Sequence, residues 1–308
     1  MTARPAEPPR DLRAEGLAYG LIGMIIFGLT LPATRIAVLE LDPFVVALGR
    51  GLAAGLLAAG VVLAMRLRVP DRRLWGHLVR YAVNVVIVFP ILMTVAMRYA
   101  PAAHGGVILA VLPLATAVAS VVVAGERPSP AFWVAAVAGS AAVLVYAWLH
   151  GAGEAGVHWA DLLLFAAVVA AAWGYAEGAM LSRSIGGWQA ISWALTLTAP
   201  IMLVLTIAAV MLQGINWQAS PAAWAGFAYV SVFSMFLGFF AWNRGLVLGG
   251  IAKIGQIQLL QTFVTLAGAA VLLGERIGAL EIGFSVLVAA IVALGWRTRV
   301  ARKDQAAP

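Results

Sequence analysis

The sequence predicts an all-α polytopic membrane protein: ten transmembrane helices arranged as two inverted five-helix repeats around a central cavity. Three observations predict it. The 308 residues are 63% hydrophobic and 11% charged. A soluble domain carries about 25% charged residues, so this chain lacks the polar groups to coat its own surface and must use lipid as solvent. Ten apolar stretches approach the ~20 residues that cross ~30 Å of hydrocarbon. The sequence also repeats itself: residues 110–127, AVLPLATAVASVVVAGER, align without gaps on residues 259–276, LLQTFVTLAGAAVLLGER.

The spans run over roughly 16–38, 44–66, 76–98, 103–124, 131–149, 161–182, 189–212, 222–243, 252–273 and 278–297. Turn and breaker residues separate them, among them Asp42-Pro43, Pro70-Asp71, Pro128-Ser129-Pro130, Gly151 to Gly156, Ser220-Pro221 and Gly249-Gly250. Residues 1–15, rich in Pro and Arg, are expected to form a disordered cytoplasmic tail. Residues 16–149 make the first repeat, 150–160 an extracytoplasmic loop, 161–297 the second repeat and 298–308 a cytoplasmic C-terminal tail. The first apolar stretch is too long for a signal-peptide core, and no small-residue cleavage site follows it.

The 20 Lys and Arg residues set the orientation. With both termini in the cytoplasm, Arg35, Arg98 and Arg276 lie at outer ends, Arg50 lies within the second span, and every other Lys and Arg is cytoplasmic. That is the positive-inside pattern of a bacterial-type inner membrane protein. The net charge of +7 thus belongs to orientation. No basic stretch carries the interleaved aromatics of a nucleic-acid surface. The chain has no cysteine, which excludes disulfides, thiolate metal sites and cysteine nucleophiles. Zincin, Walker, paired-acid and Gly-x-Ser-x-Gly motifs are absent. No catalytic residue, metal or cofactor is expected.

Five spans per repeat is an odd number, so the second half enters the membrane upside down. Inverted halves can exchange conformations around a shared site, opening it to one side and then the other. Transport is the expected function; a channel or non-transporting membrane scaffold is the alternative. With no ATPase domain in the sequence, energy must come from a solute or ion gradient, with protons a candidate coupling ion and the protein a monomer or weak dimer.

Marks run through both halves: the pair Phe27-Gly28 and Trp173-Gly174, Arg50 in span two, Pro113, and the paired Gly125-Glu126-Arg127 and Gly274-Glu275-Arg276 endings. As an ordered, duplicated set over about residues 16–297, they resemble the drug/metabolite transporter superfamily, of the type with two EamA domains. Thr262 stands where the second repeat often carries its proline, and Gly245 to Gly250 is a longer approach to span nine than Tyr99 to Ala102 is to span four. The resemblance implies ten helices around a cavity and export of small metabolites. Similar members export amino acids, some favouring aromatic ones; others move drug-like, cationic or nucleoside-like compounds.

Polar side chains at membrane depth mark the bundle interior. In span nine Gln258, Gln261, Thr262 and Thr265 fall within about 100° of arc, facing either a cavity or a neighbouring helix. Glu177 stands one turn from Trp173 in span six. It can bind a substrate ammonium, carry a coupling proton, or pair with Arg183. Tyr81 with Asn84, Trp193 in span seven, and Ser234 with Trp242 in span eight complete the expected substrate-binding set. His104 and Lys253 open spans four and nine and are placed at the cavity mouths with Arg50, for which pairing with a carboxylate or backbone carbonyl is the competing role. Pro32, Pro90, Pro113 and Pro200 mark expected helix breaks. The Gly-Glu-Arg endings read as caps, and Gly51, Gly55 and Ala59 as a close-packing ridge.

Overall fold

A computed structural model of the chain describes residues 12–100, 105, 108–147, 159–273, 279–297 and 300–301. These residues form ten helical segments: α1 (Ala14–Glu40), α2 (Pro43–Ala64), α3 (Arg72–Tyr99), α4 (Leu112–Ala124), α5 (Pro130–Ala147), α6 (Trp159–Ile185), α7 (Gly187–Gln213), α8 (Pro221–Gly249), α9 (Ile251–Leu272) and α10 (Ala279–Arg297). Seven are long and apolar enough to cross a membrane: α1, α2, α3, α6, α7, α8 and α9. In α4, α5 and α10 the described apolar helices are shorter, Leu112–Ala124, Pro130–Val145 and Val286–Gly295. Ten stretches of spanning length were expected from sequence; seven meet that length among the described residues.

Local chemistry explains the helix ends. The Asp42 carboxylate accepts from the N–H groups of Phe44 and Val45 at 2.9 and 3.1 Å and caps α2, with Pro43 at the first helical position where its missing N–H costs nothing. Ser220 and Pro221 repeat the device at α8. Gly125, at φ 64°, closes α4 in the left-handed conformation that suits glycine. Single glycines at positive φ, Gly186 and Gly250, join α6 to α7 and α8 to α9. Gly245 to Gly249 therefore belongs to α8, and the approach to α9 is one residue, shorter than the sequence suggested.

The packing has the pattern of two repeats. Helix α2 packs against α7, α4 against α9 and α5 against α10, each against its own counterpart; α1 packs against α8 as α6 packs against α3. Backbone distortions are paired too. A π-helical stretch, Val83–Val88, interrupts α3, and another, Val230–Leu237, interrupts its counterpart α8. A turn at Ala110 and Val111 precedes α4, and a 3₁₀ turn, Gln258–Leu260, interrupts α9 at the equivalent point. Prolines account for some of these. Pro32 follows the break at Leu29, Pro90 the π stretch in α3, and Pro113 the turn before α4. Pro200 does not break its helix: α7 runs on from Gly187 to Gln213. The distortions in α8 and α9 have no proline to announce them.

The small-residue ridge of α2 lies on α7. A Cβ at Gly55 would stand 2.9 Å from the Ala199 Cβ and 3.1 Å from the Leu195 carbonyl, whereas one at Gly60 would meet nothing within 4 Å. Gly55→Leu is expected to lower the melting temperature in detergent by several degrees, from an overpacking cost of ~1–3 kcal/mol. Gly60→Leu, which overpacks nothing, should leave it nearly unchanged, as differential scanning fluorimetry would show.

Candidate functional site

The polar residues of the interior converge on a cavity at mid-helix depth, lined by α1, α2, α3, α6, α8, α9 and the segment leading into α4. It exists because α1 kinks at Leu29. Pro32 has no N–H to give the Gly28 carbonyl four residues earlier, and the Thr265 hydroxyl of α9 donates to that carbonyl instead, at 2.7 Å. The kink turns Thr30 inward, where its hydroxyl donates to the Ser234 hydroxyl at 2.8 Å.

The same Ser234 oxygen accepts from Arg50 Nη2 at 3.1 Å. Arg50 is only 1% exposed, and its Nε and Nη1 have no hydrogen-bond partner. Expected at a cavity mouth, Arg50 stands in the cavity wall, and neither a carboxylate nor a backbone carbonyl holds it among the described residues. Across the cavity Gln261 is buried with its Oε1 unpartnered. A side recess lined by Gln258, Gln261, Thr262 and Thr265 shares Leu31 and Leu109 with the main cavity. In it the Gln258 amide faces the Tyr175 hydroxyl, with neither its oxygen nor its nitrogen in a hydrogen bond of good geometry.

An aromatic layer closes the cavity toward the end of the bundle at which α1 begins and α10 ends, the termini end. Phe27 stacks on Tyr175 with ring centroids 6.3 Å apart, Phe239 sits 4.9 Å from Phe27, and Trp242 meets Phe27 at 5.8 Å and Tyr175 at 5.4 Å. Beneath it Asn243 donates to the Tyr81 hydroxyl at 3.0 Å and to the Gly187 carbonyl at 3.1 Å. Further out, Glu177 of α6 is 1% exposed and takes His77 Nδ1 on one oxygen and Arg80 Nε on the other. The opposite side is apolar: Leu31, Met93 and Leu109 line the cavity, and behind them Met97 packs with Leu31 where a Cβ on Gly105 would fall.

The structure thus gathers Ser234, Gln261 and Arg50 at one cavity, with Gln258 and Thr265 in its recess and Trp242 and Tyr81 in the layers below. Thr265 is engaged by Gly28. Trp173 is half-buried and not among the cavity-lining residues; Tyr175, 200° around the helix at 100° per residue, faces the cavity instead. Asn84 donates to the Arg80 carbonyl of its own helix at 2.8 Å. Trp193 packs half-buried against the core, and Lys253 is half-buried at the start of α9. His104 lies outside the described residues. Glu177 pairs across to α3 rather than with Arg183, whose Nη2 lies 3.7 Å from Glu126. Sequence reading missed Tyr175, Phe239, His77, Arg80 and Asn243. Only His77 and Arg80 carried a usable signal, as two basic residues three apart on the helix facing α6.

The EamA-like transporter family matches residues 14–148 and again residues 158–296. The chain belongs to this family. It is a multi-pass membrane protein of the drug/metabolite transporter superfamily, and its general function is secondary transport. Over 284 residues it is 43% identical to YdeK, described as an uncharacterized transporter, of Bacillus subtilis (strain 168), covering 92% of this chain and 97% of that protein. A solved crystal structure of a protein has the same fold, with a TM-score of 0.71 at 17% identity over 92% of this chain and 96% of the other.

The layers between cavity and termini end act as a barrier in this conformation. Because the chain has no cysteine, a single Met235→Cys in the cavity wall reports its accessibility. Removing the ion cluster with Glu177→Ala is expected to speed labelling of that thiol by a water-soluble maleimide severalfold, since local opening governs access to a buried group.

Proposed function

We propose that this EamA-family protein exports small polar metabolites, amino acids foremost and aromatic ones among them, across a bacterial-type inner membrane. It does so by alternating access of two inverted five-helix repeats, with both termini in the cytoplasm. One observation carries this reading: unpartnered polar groups and an aromatic layer from both repeats meet in one cavity, at the depth where α3, α8 and α9 depart from α-helical geometry. Distorted helix at membrane depth is tolerated where it lines a cavity, and it places bend points beside the site.

The cavity leaves about 20 Å³ for the centre of a water-sized sphere. One water needs ~10–15 Å³ by this measure and a ligand pocket spans ~300–1,000 Å³. The conformation is therefore closed, and solute binding requires the walls to part. In the proposed cycle, release of Glu177 from His77 and Arg80 and parting of the aromatic layer open the termini side; parting of Leu31 from Met97 opens the other. Gln261 and Ser234 contact the solute in both. Protonation of Glu177 removes the charge that holds Arg80, so a proton can couple to the termini-side opening. Cationic solutes find no acid among the described cavity-lining residues, which favours amino acids over cationic drugs.

The test is uptake of radiolabelled amino acids by purified protein in liposomes, with aromatic, aliphatic and charged competitors. Saturable, competable uptake, weakened about tenfold or more by Gln261→Ala through a lost charge-neutral contact and its desolvated partner, is the expected result. Non-saturable flux would instead mean a channel. Glu177→Gln is expected to flatten the pH dependence of exchange; a profile identical to the parent's would remove the proton role.

A further inference from the structure

Arg50 raises a question that its single hydrogen bond does not answer. A guanidinium is always charged and offers five N–H donors. Here the Nε and Nη1 donors are unpartnered, the side chain is 1% exposed, and the residue lies in a helix that crosses the membrane. Burying an unpaired charge costs several kcal/mol. The structural alternatives are absent: Arg50 makes no ion pair among the described residues, and its one partner, Ser234, is neutral. The other buried charges at helix depth contrast with it. Glu177 is held by the Arg80 guanidinium and the His77 ring, and Glu126 accepts two backbone N–H groups.

What surrounds the free donors is chemically specific. None of the described cavity-lining residues is acidic, so the site carries an uncompensated positive charge. The Gln261 oxygen, an acceptor without a donor, lines the same cavity. Phe27, Tyr175 and Phe239 supply the aromatic part of the wall, and aliphatic side chains such as Leu31, Met93 and Leu109 the rest. An anionic group on the guanidinium, an optional donor on Gln261 and an apolar or aromatic body against the rings would complement the groups that line the main cavity.

We propose that Arg50 is the carboxylate anchor of the transport site, so that the solute must carry a carboxylate with an apolar or aromatic side chain, while its amino group is dispensable. This rests on the cavity being the transport site, and it narrows the substrate class from small polar metabolites to carboxylates, α-amino acids and amine-free aryl acids alike. A planar carboxylate can take two parallel N–H bonds from the guanidinium, a geometry an ammonium, amide or hydroxyl cannot reproduce. Ser234 takes only one of the two Nη2 hydrogens, so the other Nη2 hydrogen, together with Nη1 or Nε, remains as a free edge for that pair of bonds.

The experiment measures thermal shift of purified protein with four probes that share a phenyl ring: phenylalanine, 3-phenylpropionate, phenylalaninamide and phenethylamine. The first two carry the carboxylate and the last two do not. Phenylalanine and phenylpropionate are expected to raise the melting temperature in a saturable way, and the two carboxylate-free probes to leave it unchanged. In Arg50→Met the carboxylate-dependent shift is expected to vanish, and in Arg50→Lys to weaken at least tenfold. A structural role is separated by the unliganded melting temperature. An unpaired buried charge kept for binding predicts that Arg50→Met is as stable as the parent or more stable, and a charge needed for folding predicts a less stable protein. Equal shifts from phenethylamine, no shift from either carboxylate in the parent, or a carboxylate shift that persists in Arg50→Met would each overturn the anchor. Saturable flux in liposomes is scored separately: flux without carboxylate selectivity sinks the anchor and keeps transport, whereas an Arg50-dependent shift without flux keeps the anchor and sinks transport.

Discussion

The two halves of the molecule are joined at a backbone carbonyl that proline has left without a helical partner. In a membrane, water cannot satisfy such a group, and leaving it bare costs ~1–3 kcal/mol or more. Pro32 creates the vacancy at Gly28, and Thr265 of the second repeat fills it at 2.7 Å. Gly28 is glycine for a related reason: a Cβ there would come within 2.7 Å of the Val264 Cβ and within 2.6 Å of its Cγ1. The close approach of α9, the kink of α1 and the inward turn of Thr30 are thus one feature. The Thr30–Ser234–Arg50 chain depends on it, since only the kinked α1 brings Thr30 to α8.

A second cross-repeat contact works on N–H groups rather than a carbonyl. Glu126, in the Gly-Glu-Arg ending of α4, is buried and accepts from Ile251 N at 3.0 Å and Ala252 N at 2.9 Å, capping α9. The first N–H groups of a helix have no internal acceptor and carry partial positive charge, so a carboxylate is a strong partner for them. Gly125 makes this possible: its left-handed conformation turns the chain off the end of α4 and aims Glu126 inward. The motif is a cap for its own helix and for the matching helix of the other repeat. α9 is fixed at its start by Glu126 and near its middle by Gly28, and the 3₁₀ turn bearing Gln258 lies between those two ties.

Much of this was legible. Helix ends followed from Asp42-Pro43 and Ser220-Pro221, because capping is local chemistry. The repeat, the ridge on Gly51 and Gly55, and the polar stripe of α9 followed from spacing alone. What was not legible depends on which face of a helix meets which neighbour. α6 is apolar nearly all round, so periodicity could not choose between Trp173 and Tyr175; the kink in α1 and the bend in α3 chose. Glu177 and Arg183 are near neighbours in sequence, yet Glu177 pairs with residues a hundred positions earlier because α3 crosses α6 there. The π stretch in α8 has no proline, and the depth of Arg50 follows from the way α2 leans on α7 and α8. The positions of polar residues in the sequence find the cavity's helices, but the cavity itself is a property of their contacts.

The repeats match in backbone more than in side chain, and that mismatch bears on the proposed cycle. Glu177 of α6 stands at the position equivalent to Leu31 of α1. One is the hub of an ion cluster toward the termini; the other packs with Met97 in the apolar closure opposite. Two conformations exchanged by a twofold relation would have equal energy if the halves were identical. In the proposed cycle, opening one side breaks the Glu177–Arg80 ion pair and opening the other separates hydrocarbon groups, so the two states would differ in energy and respond to different conditions. A ligand can shift such an equilibrium only through its differential affinity for the two states, and a cavity that closes down to the space of a water while leaving Arg50 uncompensated favours whichever open state lets an anion reach it. On the proposed anchor reading, the uncompensated charge makes the empty closed state costly, and a carboxylate that neutralised it would lower the barrier to carrying the solute through.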